Sequence, residues 1–224
     1  MKIYYHPVST TSRTLMLFAA ETGLQADFQV VDLFTGEHLQ PAYAALNPNC
    51  LVPMLEDGDF RLTESSAILK YLAEKTGSPT YPADLRKRAK INEMMDWFNT
   101  QFSRDYSYGM IYPQLFPNLR RATDELQAGT IAWGKEKAKG WLTILDDKLI
   151  GSTHAYLCGS DLTIADCLGA PIMTLGEVVR CDFSPYPNIN RWLNNMKARP
   201  SWAKANEAFY GLAGSVKEAA FEAI

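Results

Sequence analysis

The spacing of apolar residues along the chain changes near residue 76. Before that point, short apolar runs alternate with stripes at helical spacing, in the order strand, helix, strand, then strand, strand, helix. The last two runs, 51–56 and 60–62, flank Asp57-Gly58-Asp59, which is typical of a turn between antiparallel strands. The pattern therefore predicts an α/β domain over residues 1–76.

The rest of the chain shows helical spacing and few strand signals. Segment 77–86 contains Gly77, Pro79 and Pro82, and this composition predicts a linker. Residues 87–224 are predicted to form an all-α domain. Its apolar stripes lie in 91–102, 141–149, 163–180, 188–198 and 201–212.

Composition narrows the kind of protein that these two domains form. A hydrophobic fraction of 47% and a net charge of −3 over 224 residues are typical of a globular protein with two cores. The nearest approach to a local excess of basic residues is one short cluster, Arg86, Lys87, Arg88 and Lys90, so no nucleic-acid partner is expected. No apolar run approaches the ~18 residues of a membrane helix, and the amino terminus lacks a leader pattern. We therefore expect neither membrane insertion nor export.

Cysteine and histidine positions argue against a metal site. The four cysteines lie far apart and include no pair at CxxC spacing, and the three histidines have no carboxylate or cysteine at ligand spacing. We therefore expect a cytoplasmic protein that holds no metal. The cysteines are Cys50, Cys158, Cys167 and Cys181, and the histidines are His6, His38 and His154.

The first segment with a chemical signal is Val52-Pro53, followed closely by Thr63-Glu64-Ser65. Proline forfeits a ladder hydrogen bond, so it belongs at a sheet edge, where neighbouring backbone groups are free to pair with an extended peptide. At the start of the next helix, free amides and the Ser65 hydroxyl suit a carboxylate, and Glu64 suits an ammonium. This combination favours a site for a small zwitterionic peptide, although Thr63 could instead simply cap the helix.

Residues 47–72, NPNCLVPMLEDGDFRLTESSAILKYL, closely resemble the glutathione-site segment of cytosolic glutathione transferases, especially theta-like and bacterial ones. The resemblance implies a thioredoxin-like first domain, an all-helical second domain and glutathione as co-substrate. It further implies that Pro53 is cis, that the Val52 backbone pairs with the cysteine of glutathione, and that Glu64 and Ser65 hold the γ-glutamyl group.

The segment Ser9-Thr10-Thr11-Ser12-Arg13 resembles the Ser-x-x-Ser-Arg stretch of theta-like transferases, which implies that Ser9 hydrogen-bonds the glutathione sulfur. A hydroxyl donor, a helix amino terminus and a nearby Arg13 would all favour a thiolate over a thiol. Serine is too weak a base to remove the proton itself. Ser9 could also be only a loop or capping residue, with Thr10, Thr11 or Ser12 in the catalytic role.

His38 lies in a Gly-x-His stretch that resembles the theta-like segment near the glycine carboxylate of glutathione, but it could equally be a surface histidine. The chain departs from the family at Cys50-Leu51, where relatives usually have Gly-Lys, so a lysine contact to that carboxylate is missing and affinity is expected to be weaker. Cys50 also raises the alternative of a thiol-dependent reductase, against a simple role as a small hydrophobic residue.

Tyr106, Tyr108 and Tyr112 follow the stripe of Phe98 and Phe102 and suit the wall of an apolar pocket for a second substrate. Core packing or a subunit interface would also account for them. The resemblance implies a homodimer that conjugates glutathione thiolate to a small hydrophobic electrophile. The alternatives are glutathione-dependent disulfide or peroxide reduction and a non-catalytic binding module, because fold does not settle function.

Overall fold

The computed structural model describes all residues from 1 to 224, and its first 75 residues form a four-stranded sheet with helices. The strand order is β2-β1-β3-β4, with β1 and β2 parallel and the other pairs antiparallel. The thioredoxin-like order predicted from the sequence is confirmed. The elements are β1 (Lys2–Tyr5), α1 (Thr10–Thr22), β2 (Asp27–Val30), α2 (Pro41–Ala44), β3 (Met54–Asp57), β4 (Phe60–Leu62) and α3 (Ser65–Lys75).

Helix α1 is bounded by residues that satisfy its terminal backbone groups. The Ser12 amide donates to Ser9 Oγ at 3.3 Å, so Ser9 caps the start. Gly23 ends the helix with φ 70°, a left-handed conformation that glycine adopts without steric cost, and its N–H donates to Ala19 O. The helix begins earlier than its apolar stripe because Thr10 to Ser12 carry no apolar signal.

Several chain segments meet at one edge of the sheet. Because β1 and β2 are parallel, the residues after Tyr5 and after Val30 leave from the same edge. The antiparallel strand β3 is entered from that edge just before Met54, and β4 is left at that edge after Leu62. The topology thus gathers the residues singled out from the sequence, which are 9, 38, 52–53 and 64–65.

Helices account for the ordered elements after residue 84, which confirms the predicted all-helical second half. Three stretches within them have the wider i→i+5 hydrogen bonding of a π-helix, at Trp97–Phe102, Tyr106–Ile111 and Leu145–Ile150. The α-helices are α4 (Leu85–Asp96), α5 (Ser103–Asp105), α6 (Tyr112–Leu115), α7 (Asp124–Ile144), α8 (Ile164–Met173), α9 (Leu175–Val178), α10 (Pro187–Lys197) and α11 (Pro200–Ser215).

A row of side chains at every fourth position of the first long helical stretch forms the centre of the helical domain. Phe98, Phe102, Tyr106 and Met110 all have no exposed surface. The rings of Phe98 and Phe102 meet edge to face at a centroid distance of 5.5 Å, and those of Phe102 and Tyr106 stack at 4.5 Å. One continuous apolar core includes this row and also Leu15 of α1, so it extends through both domains.

Arg13 of α1 is fully buried and joins the two domains. Its Nη1 donates to Asn206 Oδ1 at 2.7 Å and to Thr174 Oγ1 at 3.2 Å, and its Nη2 donates to Pro171 O at 2.7 Å. The guanidinium also lies 3.6 Å from the ring centroid of Phe209. Burial lowers the pKa of Arg13 to about 10, which leaves it charged at neutral pH. These contacts direct the guanidinium toward the helical domain, so we assign Arg13 to the domain interface and not to the thiol site expected from the sequence.

Candidate active site

The loop between β1 and α1 places a chain of hydroxyl groups at the sheet edge. Ser9 Oγ lies 3.1 Å from Thr11 Oγ1, and Thr11 Oγ1 donates to Val52 O at 2.9 Å. Ser12 is buried and its Oγ accepts from the His6 amide at 3.3 Å. Ser9 and Val52, which the sequence separates by more than forty residues, are therefore linked through the single side chain of Thr11.

Two side chains hold the backbone just before Pro53 by hydrogen bonds to the same carbonyl oxygen. Tyr43 Oη and Asn47 Nδ2 both donate to Leu51 O, each at 2.7 Å. The Leu51 side chain itself is 61% exposed, and the Val52-Pro53 peptide bond is cis. This support fixes the position of the backbone at Val52, where the sequence predicts pairing with a peptide.

The start of α3 has an unusual backbone. Glu64 adopts φ 65° and ψ 111°, a conformation that non-glycine residues avoid, at a cost of about 1–3 kcal/mol. Ser65 is the first helical residue and is buried. The Ile68 amide donates to Glu64 O at 2.9 Å, so the amides of residues 65–67 have no partner within the helix. Thr63 is not the cap that the simpler interpretation required, since Glu64 occupies that position.

His38 lies in a single turn of 3-10 helix, Glu37–Leu39, that follows β2. The His38 imidazole is half-buried, and its Nδ1 has no hydrogen-bond partner. Beneath this turn, His6 Nε2 lies 3.9 Å from Asp32 Oδ1. Burial lowers the pKa of His6, against the opposing effect of Asp32, and the neighbouring His38 lowers it further.

Of the three tyrosines predicted to line a pocket, Tyr112 contacts the hydroxyl loop and Tyr108 packs against Tyr112. Tyr112 Oη donates to Thr10 Oγ1 at 3.2 Å, and the Tyr108 ring packs edge-on against Tyr112 at 4.9 Å. Tyr108 is 56% exposed, and burial raises the pKa of Tyr112 to about 12, so Tyr112 is a donor at neutral pH. Phe116 lies 5.4 Å beyond Tyr112 and extends the aromatic surface.

The prediction that Tyr106 lines this pocket is wrong. Tyr106 has no exposed surface, and its hydroxyl donates to Met173 O at 2.8 Å inside the helical domain. The reason is that Tyr106 continues the fully buried row of Phe98 and Phe102, whereas Tyr108 lies on a different side of the same helical stretch. Spacing by four and clustering in the sequence do not distinguish these two sides.

Sequence reasoning missed the two contacts that join this site together. Neither the Thr11 hydrogen bond to Val52 nor the Tyr112 hydrogen bond to Thr10 has a local signal, because the partners lie 41 and 102 residues apart. The only available indication was the unusual density of hydroxyl groups in residues 9–12.

Two clefts, of about 420 and 590 Å³, lie at the opposite end of α1, near Gly23 and Glu21, and contain none of the predicted site residues. No three histidine, cysteine or acidic side chains converge in an arrangement that could hold a metal ion. No helix is long and apolar enough to cross a membrane. The residues with chemical signals in the sequence lie instead at the sheet edge where Ser9, Val52 and Ser65 are located.

A thioredoxin-like domain followed by an all-helical domain is the two-domain fold of the glutathione transferases. Residues 8–75 match the family model described as Glutathione S-transferase, N-terminal domain, and residues 131–200 match Glutathione S-transferase, C-terminal domain. Glutathione S-transferase theta-1 from Homo sapiens is 30% identical over 201 residues, which cover 88% of this chain and 82% of that protein. The chain belongs to the glutathione S-transferase family, as residues 47–72 predicted.

Solved structures agree with this assignment. A delta-class glutathione transferase from Nilaparvata lugens is 34% identical, has a TM-score of 0.82, and aligns over 97% of this chain and 98% of its own. Human glutathione transferase theta-2, solved in complex with glutathione, is 25% identical with a TM-score of 0.84, over 100% of this chain and 93% of its own. The theta-like character predicted from the sequence is confirmed.

Proposed function

We propose that the protein conjugates glutathione to a small hydrophobic electrophile, with Ser9 donating a hydrogen bond to the reacting sulfur. Family membership supports the reaction class. The observation that carries the residue assignment is the hydroxyl chain from Ser9 through Thr11 to Val52. It joins the proposed sulfur donor to the residue whose backbone pairs with the peptide.

Glutathione is extended along the sheet edge in this proposal. Its cysteine pairs with the backbone of Val52, and its γ-glutamyl carboxylate lies at Ser65, where the amides of residues 65–67 and the helix dipole favour negative charge. Glu64 binds the ammonium group, and the strained backbone there is consistent with a ligand site. His38, with its unpartnered Nδ1, contacts the glycine carboxylate.

The energetic requirement for Ser9 is moderate. Lowering the pKa of the glutathione thiol by ~2 units takes about 2.7 kcal/mol of differential stabilisation. A hydrogen bond to a charged group contributes ~1.5–3 kcal/mol, so one hydroxyl donor is of the required size. Thr10 is less suited, because it is buried and its Oγ1 already accepts from Tyr112.

The electrophile binds against the aromatic surface of Tyr108, Tyr112 and Phe116. Tyr112 contacts Thr10, the residue next to Ser9, so this surface lies beside the proposed thiolate. Tyr108 and Phe116 are 56% and 39% exposed, which leaves apolar ring surface available to a small hydrophobic molecule.

We further propose that the protein is a cytoplasmic homodimer. The support for a dimer is that the large apolar side chains of Leu51, Phe60 and Leu85 are 61%, 44% and 81% exposed, so a subunit contact that covered them would remove apolar surface from water. All four cysteines are free thiols, which suits a reducing compartment. Light scattering of the purified protein measures the mass directly, and a monomer at micromolar concentration would refute the dimer.

The binding part of the proposal is tested by thermal unfolding with glutathione. A ligand present at about 100 times its Kd stabilises the folded state by ~2.7 kcal/mol, so millimolar glutathione should raise the unfolding midpoint. Ser65→Ala should weaken this shift, whereas Ser66→Ala, one residue further along α3, should leave it unchanged. A midpoint unaffected by glutathione in the wild-type protein would rule out the proposed site.

The catalytic part is tested by the pH dependence of bound glutathione. Thiolate absorbance in the ultraviolet reports the thiol pKa, and Ser9→Ala should raise that pKa by about 1–2 units and reduce conjugation of a generic electrophile. Thr10→Val serves as the control with the neighbouring hydroxyl removed. A normal pKa and rate in Ser9→Ala, beside a loss in Thr10→Val, would transfer the role to Thr10.

A reductase is the second candidate function. Cys50 is half-exposed, has a left-handed backbone with φ 53°, and lies two residues before Val52. Its thiol could therefore reach a peptide paired at that position. Disulfide or peroxide reduction that requires Cys50, in a protein with no measurable conjugation, would favour this alternative.

A further inference from the structure

The hydrogen positions in the hydroxyl chain follow from counting donors and acceptors. Thr11 Oγ1 lies 2.9 Å from Val52 O, and a carbonyl oxygen carries no hydrogen, so Thr11 must be the donor in that pair. A hydroxyl has one hydrogen, so Thr11 can only accept in its 3.1 Å contact with Ser9 Oγ. Ser9 therefore donates its own hydrogen to Thr11, while its oxygen accepts from the Ser12 amide at 3.3 Å.

The direction of these hydrogen bonds determines whether Ser9 can donate to a bound thiolate. The only hydrogen of Ser9 is committed to Thr11 in the unliganded protein, so Ser9 must rotate away from Thr11 before it can donate to sulfur. We propose that Thr11 is a positioning residue that orients the Ser9 hydroxyl in the free protein and competes with the glutathione thiolate for its hydrogen. The inference rests on the proposed function, because it requires glutathione to bind with its sulfur at Ser9.

Transfer of the Ser9 hydrogen bond from Thr11 to the thiolate is favourable, but its net stabilisation of the thiolate is reduced by the bond that is lost. A hydrogen bond to an ionised sulfur is stronger than one to a neutral hydroxyl, so Ser9 turns to the thiolate when glutathione is ionised. The bond given up at Thr11 is subtracted from the stabilisation of the thiolate. The thiol pKa of bound glutathione is thus higher with Thr11 than it would be with an apolar residue of the same shape.

Val52 couples the same competition to peptide binding. Its carbonyl oxygen has two lone pairs, one of which accepts from Thr11, and the other is available to the cysteine amide of glutathione. Thr11 is exposed, so replacing it should not disturb the core. Thr11→Val keeps the branched shape and removes the hydroxyl, whereas Thr11→Ser keeps the hydroxyl.

The test is the thiolate titration of bound glutathione in Thr11→Val, Thr11→Ser, Ser9→Ala and the double variant Ser9→Ala/Thr11→Val. Thr11→Val should lower the thiol pKa by about 0.5–1 unit, equivalent to about 0.7–1.4 kcal/mol, because the Ser9 hydrogen is free for sulfur. Thr11→Ser should retain the wild-type pKa. In the Ser9→Ala background, Thr11→Val should change nothing, since no hydrogen is left to compete for.

Three results would overturn the inference. They are an unchanged pKa in Thr11→Val, a raised pKa in Thr11→Val, and a shift of equal size with and without Ser9. A raised pKa would instead make Thr11 a donor to sulfur. These outcomes differ from failure of the proposed function, in which the wild-type protein binds no glutathione and no variant yields a thiolate signal.

Discussion

The close approach of two glycines offers a sharp test of the helical domain. Gly134 lies in the middle of α7, and a Cβ added there would lie 2.5 Å from Gly109 C, 2.7 Å from Gly109 O and 2.9 Å from Met110 N. All three atoms belong to the backbone. The nearest of these distances is roughly 0.9 Å shorter than the 3.4 Å at which ordinary van der Waals contact begins. Gly134→Ala must therefore push α7 away from the helical stretch Tyr106–Ile111.

The same helix supplies a matched control. Gly140 is an exposed residue of α7, and a Cβ added there meets nothing within 4 Å. Alanine is favoured over glycine in a helix interior by about 1 kcal/mol, and this gain applies at both positions. Overpacking costs typically 1–3 kcal/mol and occasionally more, and it applies only at Gly134. We expect Gly140→Ala to raise the unfolding free energy by about 0.5–1 kcal/mol. Gly134→Ala should lower it by about 0–2 kcal/mol, which is the overpacking cost less the gain in helix propensity.

Equilibrium unfolding in urea, monitored by tryptophan fluorescence, measures both changes in unfolding free energy. The slope of the free energy against urea concentration should be the same in both variants and the wild-type protein. Because Gly109 lies between Tyr108 and Met110, the same displacement should also raise the KM for the electrophile in Gly134→Ala. Equal stabilisation by the two substitutions would show that the helices can separate without cost, and would refute the reasoning.

Three further predictions concern other parts of the chain. Arg13→Lys should lower the unfolding free energy by about 2–4 kcal/mol in urea titrations, because lysine cannot serve the buried acceptors that the guanidinium fork reaches. Burial opposes ionisation of Glu21, but hydrogen bonds from Arg199 and Ser201 outweigh it and lower its pKa below 4.5. The contribution of Glu21 is therefore present above pH 4.5 and lost as pH falls through the lower value, and Glu21→Gln should flatten that part of a pH–stability profile. Cys50→Ser should keep most conjugation activity in a standard assay. If the wild-type protein shows no conjugation and Cys50→Ser abolishes a glutathione-dependent reduction, the reductase is favoured instead.

The elements of the first domain could be predicted because their signals are local. Gly58-Asp59 forms the turn between β3 and β4, and Gly23 ends α1, each through the backbone preference of the residues themselves. Glu64 carries no such signal. Left-handed backbone is normally taken by glycine or asparagine, so its φ of 65° is imposed by the surrounding structure.

Contacts between distant parts of the chain were beyond the reach of spacing arguments. Arg13 was expected beside the thiol because it follows Ser9 closely, yet its partners lie 158 to 193 residues away. Tyr112 was assigned to a pocket wall, but its hydrogen bond to Thr10 ties that wall to the hydroxyl loop. Such contacts depend on how the two domains pack, and the spacing of apolar residues within either domain does not indicate that packing.

The buried row from Phe98 to Met110 places a strict requirement on chain length. A repeat of four residues overruns a helical turn of 3.6 residues by about 40°, so three repeats would rotate Met110 by about 120° out of line. The wider turns at Trp97–Phe102 and Tyr106–Ile111 absorb that rotation. Deletion of one residue within this segment would rotate all residues that follow it in the helix by about 100°. Tyr112 would then turn away from Thr10. A change of length in the connection at 116–123, which follows Tyr112 and includes the 3-10 helix Pro117–Leu119, should leave that contact in place.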